Sequence, residues 1–581
     1  MKRTIVPLKQ TLVTMWFPQL FLSKIARTSP RACYSCSFSS TSHSATSAKN
    51  PKDPKTPAGS QDHVEWRKHQ LESAKLSLYP HKFDARDRIS DVVRDYSDRL
   101  GKGERVVADP VGGSVSVAGR IHGVRQASKN LHFIDLKSGD GEIQVRANAK
   151  HYSSQVNFSG EVHALRRGDV VGVVGVPCRT LAGELSIDAS RIMMLSPCLR
   201  MMPNPKMTLE NMDKRFRRRH VDLLANPERR EIFRTRAAIL RELRRFLEAR
   251  DFLEVETPIL GIGYGGASAR PFKTHHNDHK AKMFLRIAPE LYLKQLVVGG
   301  FDRVFEVGRQ FRNEGIDATH NPEFTTCEFY MAYSDRGDVM DMTEQLFGAV
   351  ATNVLGSTKF SYPMLDGNKR REVVFDFEGP FKRIEYLSAI QAAVKKELPT
   401  PEEVYTDLPE ARDYIRSLEP DVLEPYRYQN LSCGKLLDKL FSKIVEPTLM
   451  DPTFVLDHPL SESPLAKEHR SKPFIAERFE LFVGGNELAN AYTEQNDPDA
   501  QREHFRRQQQ QLGNECQVAA EHDEAFVRVL EYGLPPTAGF GLGVDRLVML
   551  LTRQTSIKEV LAFPTLRPMQ SKSDGDERVG E

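Results

Sequence analysis

The chain has 581 residues, enough for several domains with cores of their own, and its 82 Lys plus Arg nearly balance 78 Asp plus Glu, for a net charge of +4. A global basic field is thereby excluded, so any nucleic-acid surface must be a local patch. No apolar run reaches the roughly eighteen residues of a membrane span, and the seven scattered cysteines (33, 36, 178, 198, 327, 433, 516) argue against a disulfide framework.

The N-terminus is acid-poor. No Asp or Glu precedes Asp53, while Lys2, Arg3, Lys9, Lys24, Arg27 and Arg31 punctuate apolar residues and a Ser/Thr-rich tract runs from Ser35 to Ser47. This is the composition of an organelle transit peptide, and residues 1–60 are expected to be a transit peptide and disordered linker addressed to the mitochondrial matrix. A disordered tail without an address is the alternative.

Residues 62–100 are charged and of helical character. From Ser114 the pattern changes to short alternating strands, at Val115–Ile121, Leu131–Leu136, Glu142–Val145, Val170–Val176 and Leu185–Ile187, with turns at Ser138–Gly141 and Leu181–Gly183. Five short strands in about ninety residues fit an OB-fold barrel that binds single-stranded nucleic acid, giving a first domain over residues 61–205. Phe133 can stack an unpaired base, with Arg125 and Gln144 reading its edge. Alternatively Phe133 is a barrel core residue. The basic run Lys214–His220 then touches phosphate or is a solvated linker.

A second domain is expected over residues 206–570, with a disordered tail at 571–581. Asn226-Pro227-Glu228 reads as a helix start, and Phe233, Ala237, Leu240, Leu243 and Leu247 recur at helical spacing to about Asp251, before a strand from Phe252 closed by Pro258. Gly265-Gly266-Ala267 lets backbone approach a ligand closely. His275, His276 and His279 lack the Cys or spaced carboxylate that would complete a metal site. Arg303–Arg312 and Phe324–Tyr330 alternate like the two strands of a hairpin around a polar loop. One face of it carries Gln310, Arg312, Phe324, Glu328 and Tyr330: donors for phosphate, a ring for a base and an acceptor for a cation. A salt-bridged surface hairpin is the alternative.

The stretch 357–473 reads as an insertion, with one amphipathic helix at Lys435–Val445. A second hairpin turns at Gly484-Gly485 and places Asn490, Tyr492 and Glu494 on one strand face. Glu480 and Glu487 suit Mg²⁺, a hard cation that takes carboxylates plus phosphates, but Glu487 is out of parity with Asn490, so that role requires a bulge. Arg546 opens a helix after the Gly-rich strand end at Gly539–Gly543.

Phe311-Arg312-Asn313-Glu314, His320–Thr325 and Glu328-Phe329-Tyr330 together resemble the second signature motif of the class II aminoacyl-tRNA synthetases. The helix, strand and proline through Pro258 resemble the first motif, and Gly539–Leu551 the third. Glu290, Asp457-His458-Pro459 and Ser463–Lys467 resemble in detail the class II lysyl-tRNA synthetases, and with the N-terminus their mitochondrial form. The spacing of Phe133 and Gln144 is similar to the anticodon-binding module of that group. The resemblance runs over about residues 65–568 and implies an α+β chain, an N-terminal OB-fold barrel followed by an antiparallel sheet flanked by helices, dimeric through the helix at 227–250. It implies lysine, ATP and tRNA(Lys) as partners, with Mg²⁺. Arg312 would hold the α-phosphate and Arg546 the terminal one, Phe324, Glu314 and His320 the nucleotide, and Gly266, Glu290, Glu328, Tyr330, Asn490, Tyr492 and Glu494 the lysine. Clustered carboxylates repel one another when empty, which favours a cationic substrate. A sister enzyme for Asp or Asn, or a non-catalytic RNA-binding paralogue, is the alternative.

Overall fold

The computed structural model describes residues 60–568 except 107–112, 140, 154, 204–210, 268, 367–368, 424–427, 429 and 513–516. The expected transit peptide and linker before Ser60 and the tail at 571–581 therefore lie outside the described residues. Two compact units divide between Arg200 and Met201.

The first unit opens with helices α1 (Ser60–Ser73) and α2 (Ile89–Tyr96). Strands β1 (Val115–Ser128), β2 (Leu131–Ser138) and β3 (Gly141–Asn148), helix α3 (Gln155–His163), and strands β4 (Val170–Arg179) and β5 (Leu185–Ser196) follow. The strands close into a barrel in the order β1-β2-β3-β5-β4. All five expected strands are present, each longer than its apolar alternation indicates, because the ladders run on past the barrel interior. On β2 His132, Ile134 and Leu136 point inward and are buried, while Phe133, Asp135 and Lys137 are only partly buried. Phe133 is therefore not a core residue: strand parity sets it on the outer face.

The second unit begins with the basic run, which forms α4 (Met212–Arg217) and α5 (Arg219–Ala225). Neither reading of that run covers Arg215 and Arg219, which are buried. Arg215 bonds Glu559 through two nitrogens at 2.8 and 3.0 Å and Asp222 at 2.9 Å, while Arg219 bonds Asp222 at 2.8 Å and the Leu561 carbonyl at 2.8 Å. Helix α6 (Glu228–Glu248) follows, but Pro227 occupies its N-cap, and the Asn226 amide bonds Asp222 instead of capping the helix. Its buried stripe is Ile232, Ile239, Leu243, Phe246 and Leu247, displaced from the expected one, and Ala237 is exposed. The expected strand to Pro258 shrinks to β6 (Leu253–Glu254).

A small sheet is made by β7 (Leu260–Gly261), β8 (Lys273–His276) and β9 (Ala281–Leu285). Helix α7 (Glu290–Val298), strands β10 (Arg303–Phe311) and β11 (Glu323–Ala332), and helix α8 (Arg336–Leu355) come next. The stretch read as an insertion holds a hairpin, β12 (Lys359–Asp366) with β13 (Lys369–Asp376), then β14 (Lys382–Glu385), α9 (Tyr386–Val394), α10 (Pro401–Thr406), α11 (Pro409–Leu418), α12 (Cys433–Leu440) and β15 (Thr453–Leu456). The expected helix at 435–445 is α12 continued by a π-helical turn, Phe441–Val445. Strands β16 (Arg478–Val483) and β17 (Asn486–Thr493), helices α13 (Pro498–Leu512) and α14 (Gln517–Leu530), strand β18 (Thr537–Gly543), and helices α15 (Val544–Leu551) and α16 (Ile557–Val560) complete the unit.

The main sheet has eight strands in the order β14-β15-β16-β17-β18-β11-β10-β6, antiparallel except for the outermost pair at each edge. The supposed insertion thus supplies β14 and β15 to the sheet. A core cluster containing Ile239, Leu243, Phe329, Leu346, Phe347, Phe540 and Leu547 joins the sheet to α6, α8 and α15. Fold and pattern agree on an α+β chain: a small closed barrel, then an antiparallel sheet with flanking helices.

Candidate active site

A cavity of about 1130 Å³ opens in the second unit, lined by residues of the two hairpins, of α7, α13 and α14, and of the β18–α15 turn. Gly266, Glu290, Arg312, Glu314, His320, Phe324, Glu328, Tyr330, Glu480, Glu487, Asn490, Tyr492 and Arg546 all line it. Pairing in β10–β11 sets Gln310 opposite Phe324 and Glu306 opposite Glu328; of the polar face read from parity, Arg312, Phe324, Glu328 and Tyr330 line the cavity, whereas Gln310 is buried and donates to Thr326 at 2.9 Å.

Carboxylates gather at one end. Glu290, at the start of α7, accepts from the Tyr492 hydroxyl at 2.6 Å and from the Lys294 ammonium at 2.7 Å. Lys294 also pairs with Glu494 Oε2. Glu494 does not line the cavity. It lies fully buried behind Gly539, where Oε1 has no hydrogen-bond partner among the described residues. Two expectations change here. Glu494 is not open to solvent in the cavity, and the chain itself places a cation between two of its clustered carboxylates. Glu328, buried on β11, accepts from Thr326 at 3.2 Å. Burial first, then the Glu290 charge, pushes its carboxyl up to about 8. Burial and the same carboxylates push Glu494 up too, against Lys294. Lys294 stays cationic: burial pulls it down, but the charges of Glu290 and Glu494 hold it above its ordinary value. Gly266 is constrained twice, by φ +83 and by a Cβ position 3.1 Å from Glu290 Cβ and 3.4 Å from Ala288 Cβ.

The other end is cationic and aromatic. The Arg312 guanidinium lies 5.1 Å from the Phe324 ring centroid. Asp317 orders the polar loop, accepting from the backbone N–H of Thr319 at 2.7 Å and of His320 at 2.8 Å, and from His320 Nδ1 at 2.9 Å. His320 Nε2 then accepts from Arg546 at 3.1 Å, and Arg546 also donates to the Glu487 carbonyl at 2.7 Å. Asp545, in the first turn of α15, accepts from Thr325 N at 2.7 Å and Arg236 at 2.5 Å, tying α15, β11 and α6 beside Phe324 and Arg546.

The predicted bulge is present. Leu481 pairs with Ala489 but Phe482 with Glu487, so Leu488 is an extra residue in β17 and drops into the core. That shift brings Glu487 to the cavity, with Glu480. Arg478 and His458 hold Glu480 down to about 2 despite burial, the Arg478 bond being 2.5 Å. Glu487 is pushed up by burial and by the Glu480 charge.

These features match a known family. The description "tRNA synthetases class II (D, K and N)" fits residues 211–567 and "OB-fold nucleic acid binding domain" fits residues 115–195. The chain belongs to the class II tRNA synthetases. It is an ATP-dependent aminoacyl-tRNA ligase. Among similar proteins are lysine–tRNA ligase cla4 of Cladosporium cladosporioides, 44% identical over 88% of this chain and 85% of its own length. A probable cytoplasmic lysine–tRNA ligase of Encephalitozoon cuniculi is 42% identical over 86% of this chain and 95% of its own. The lysine–tRNA ligase of Pseudomonas fluorescens is 42% identical over 87% and 96%.

In this synthetase the donor set at Glu480 and Glu487 fits Mg²⁺: two oxygen-donor carboxylates on one cavity wall, each disfavouring the other's charge, beside the cationic end where phosphates would lie. Among the described residues no group of three or more His, Cys, Asp or Glu is gathered for a metal, so the carboxylate pair would need phosphate oxygens to complete its shell. His276 and His279 merely pack ring to ring at 4.4 Å.

On the barrel, Phe133 lies opposite Arg125 and Arg146, and Asp135 opposite Gln144, so Arg125, Phe133 and Gln144 share the outer face. Arg125 is paired with Asp135 at 3.0 Å, and Gln144 accepts from Ser186 at 3.0 Å. Sequence reasoning passed over two residues. Lys294 sits four residues after Glu290, the commonest helical ion-pair spacing, and that signal was available. Arg478 bonds Glu480, two residues along the same strand, and, at 2.9 Å, the Asn490 side-chain oxygen on β17, a contact across strands that no short motif encodes.

Proposed function

We propose that this synthetase activates lysine with ATP and passes the lysyl group to the terminal ribose of tRNA(Lys) for mitochondrial translation. The observation that carries the reading is the charge imbalance at the closed end. Two carboxylates, Glu290 and Glu494, meet one internal ammonium beside the Glu328 carboxyl, and Glu494 Oε1 remains unpartnered among the described residues. A substrate ammonium resolves that imbalance, whereas an aspartate side chain would worsen it. The names of the relatives point the same way.

In the first step the lysine carboxylate attacks the α-phosphorus and pyrophosphate leaves. In the second, a ribose hydroxyl of tRNA attacks the activated carbonyl and AMP leaves. The substrate's own carboxylate is the nucleophile, so the chain's contribution is positioning and charge stabilisation. Glu290 and Glu328, with Tyr330 and Tyr492, take the ammonium groups, Glu494 adds its charge from behind Gly539, and Gly266 leaves room for the chain beside Glu290. Arg478 accounts for Asn490: with the side-chain oxygen tied to Arg478 Nε, the amide N–H₂ is what remains for the substrate. Arg312 takes the α-phosphate, Arg546 the terminal phosphate, and Phe324 the adenine, with Glu314 and His320 around it. Glu480 and Glu487 would hold Mg²⁺, which supplies neutralisation of phosphate charge when bound.

ATP–pyrophosphate exchange with each of the twenty amino acids tests this directly. Lysine should drive exchange, and exchange driven by aspartate or asparagine overturns the assignment. The mitochondrial address rests on the acid-free, basic and Ser-rich composition of residues 1–50. A reporter carrying them should enter mitochondria, and a cytosolic reporter refutes the address. Dimerisation is supported by Leu253, Ile259, Leu260 and Ile262, which leave apolar surface exposed in the segment that follows α6 in the chain. Light scattering should give twice 65.9 kDa.

A further inference from the structure

Lys294 is wholly buried, four residues along α7 from Glu290. Its ammonium bonds Glu290 at 2.7 Å and pairs with Glu494, and the rings of Tyr492 and Phe526 flank it with centroids 5.6 and 5.8 Å away. The other ionisable groups facing this cluster are Glu328 and Tyr330 on β11, Tyr492 on β17 and, across the hairpin from Tyr492, the cationic Arg478 on β16. Burying an ammonium and two carboxylates is costly, and an apolar side chain of the same length fills such a volume more cheaply. Packing alone does not account for a lysine here.

We propose that Lys294 is a positioning residue for substrate recognition, a built-in counter-cation that holds Glu290 and Glu494 in place and leaves one negative charge of the pair for the substrate ammonium. The inference rests on the lysine reading of the cavity. Two carboxylates and one ammonium sum to −1, and the substrate ammonium brings the cluster to zero. Without Lys294 the two carboxylates would retain a proton between them, as adjacent acids do. A shared, mobile proton also weakens the acceptor for Tyr492, whose hydroxyl among the described residues is fixed through Glu290 Oε1 at 2.6 Å. Lysine at the cavity end would then meet a carboxyl group that must first lose its proton.

The test uses the full-length enzyme in amino-acid-dependent pyrophosphate exchange. Lys294→Met keeps the length and apolar stem but removes the charge. It should raise the KM for lysine about thirtyfold or more at neutral pH and leave the KM for ATP within about twofold. The lysine KM of the variant should fall more steeply than that of the wild type as pH rises from 7 to 9, as the shared proton is lost. Lys294→Ala leaves a space into which propylammonium fits, and that amine should restore lysine KM at least tenfold and saturably, which also covers the case in which the methionine variant does not fold. A lysine KM within about threefold of wild type in Lys294→Met, or equal losses for lysine and ATP with no rescue by propylammonium, overturns the proposal. Failure of the lysine reading is seen separately, because the wild type itself would then activate a different amino acid.

Discussion

Gly539 offers a sharp test of the cavity end. It lies on β18 between Tyr330 of β11 and Tyr492 of β17. A Cβ added there would fall 2.5 Å from Tyr330 Cε1 and 2.9 Å from Cδ1, and would overlap Glu494 Oε1 outright. None of these groups is the free end of a flexible chain: the ring is buried in a core cluster and the carboxylate is pinned by Lys294. In Gly539→Ala either the ring tilts or the carboxylate leaves the place where a substrate ammonium would meet it. Losing one charge-assisted bond costs about 1.5–3 kcal/mol, so the KM for lysine should rise about ten- to 150-fold. Overpacking should also cost about 1–3 kcal/mol of stability. The nucleotide end, built on Arg312, Phe324 and Arg546, lies six residues along β11 from Tyr330 and beyond the end of β18, so ATP affinity should change less than about threefold. Pyrophosphate exchange with lysine and ATP varied separately, alongside thermal unfolding, gives all three numbers. If the lysine KM stays within twofold of wild type, the substrate does not reach Glu494, and the carboxylate is only structural.

Glu328→Gln should flatten a pH dependence. Its carboxyl is pushed up to about 8, so in the wild type it is protonated below that pH, and lysine KM should rise as pH falls from 9 to 7, by up to tenfold per unit. The raised value also means that folding stability is lost as pH climbs toward 8, about 1.4 kcal/mol per unit, and urea unfolding at pH 6 and 8 should show a smaller difference in the glutamine variant. Phe133→Ala should raise the KM for tRNA by about 1–3 kcal/mol of stacking while leaving tRNA-independent exchange intact. Equal loss in both assays would refute a role at the barrel surface.

Local patterns made much of this legible. Alternation alone located the five barrel strands and the face of the β10–β11 hairpin, because a half-buried strand writes its burial into every second residue. The parity of Glu487 even demanded the bulge. What stayed hidden depends on partners distant in sequence. β14 and β15 are four residues each and are strands only because they pair in parallel with each other and against β16. Arg215 and Arg219 read as a charged linker because their partners include the α16 region, more than three hundred residues away. Glu494 was rightly grouped with Asn490 and Tyr492 by parity, but the strand ends at Thr493, and the chain beyond it carries Glu494 under the cavity instead of into it.

The bulge at Leu488 makes the number of residues in β17 as informative as their identity. The Gly484-Gly485 turn, with φ +60 and +70, fixes one end of the hairpin, and the Glu480–Asn490 pair fixes the other. Glu487 stands three positions before Asn490, so even pairing would send it to the face that packs against the core, and only the extra residue at Leu488 keeps it beside Asn490. Losing Leu488 altogether would leave Glu487 two residues before Asn490 and still on the cavity face. Losing the bulge while keeping Leu488 would remove the carboxylate from the site, although every named residue survives in the text of the sequence.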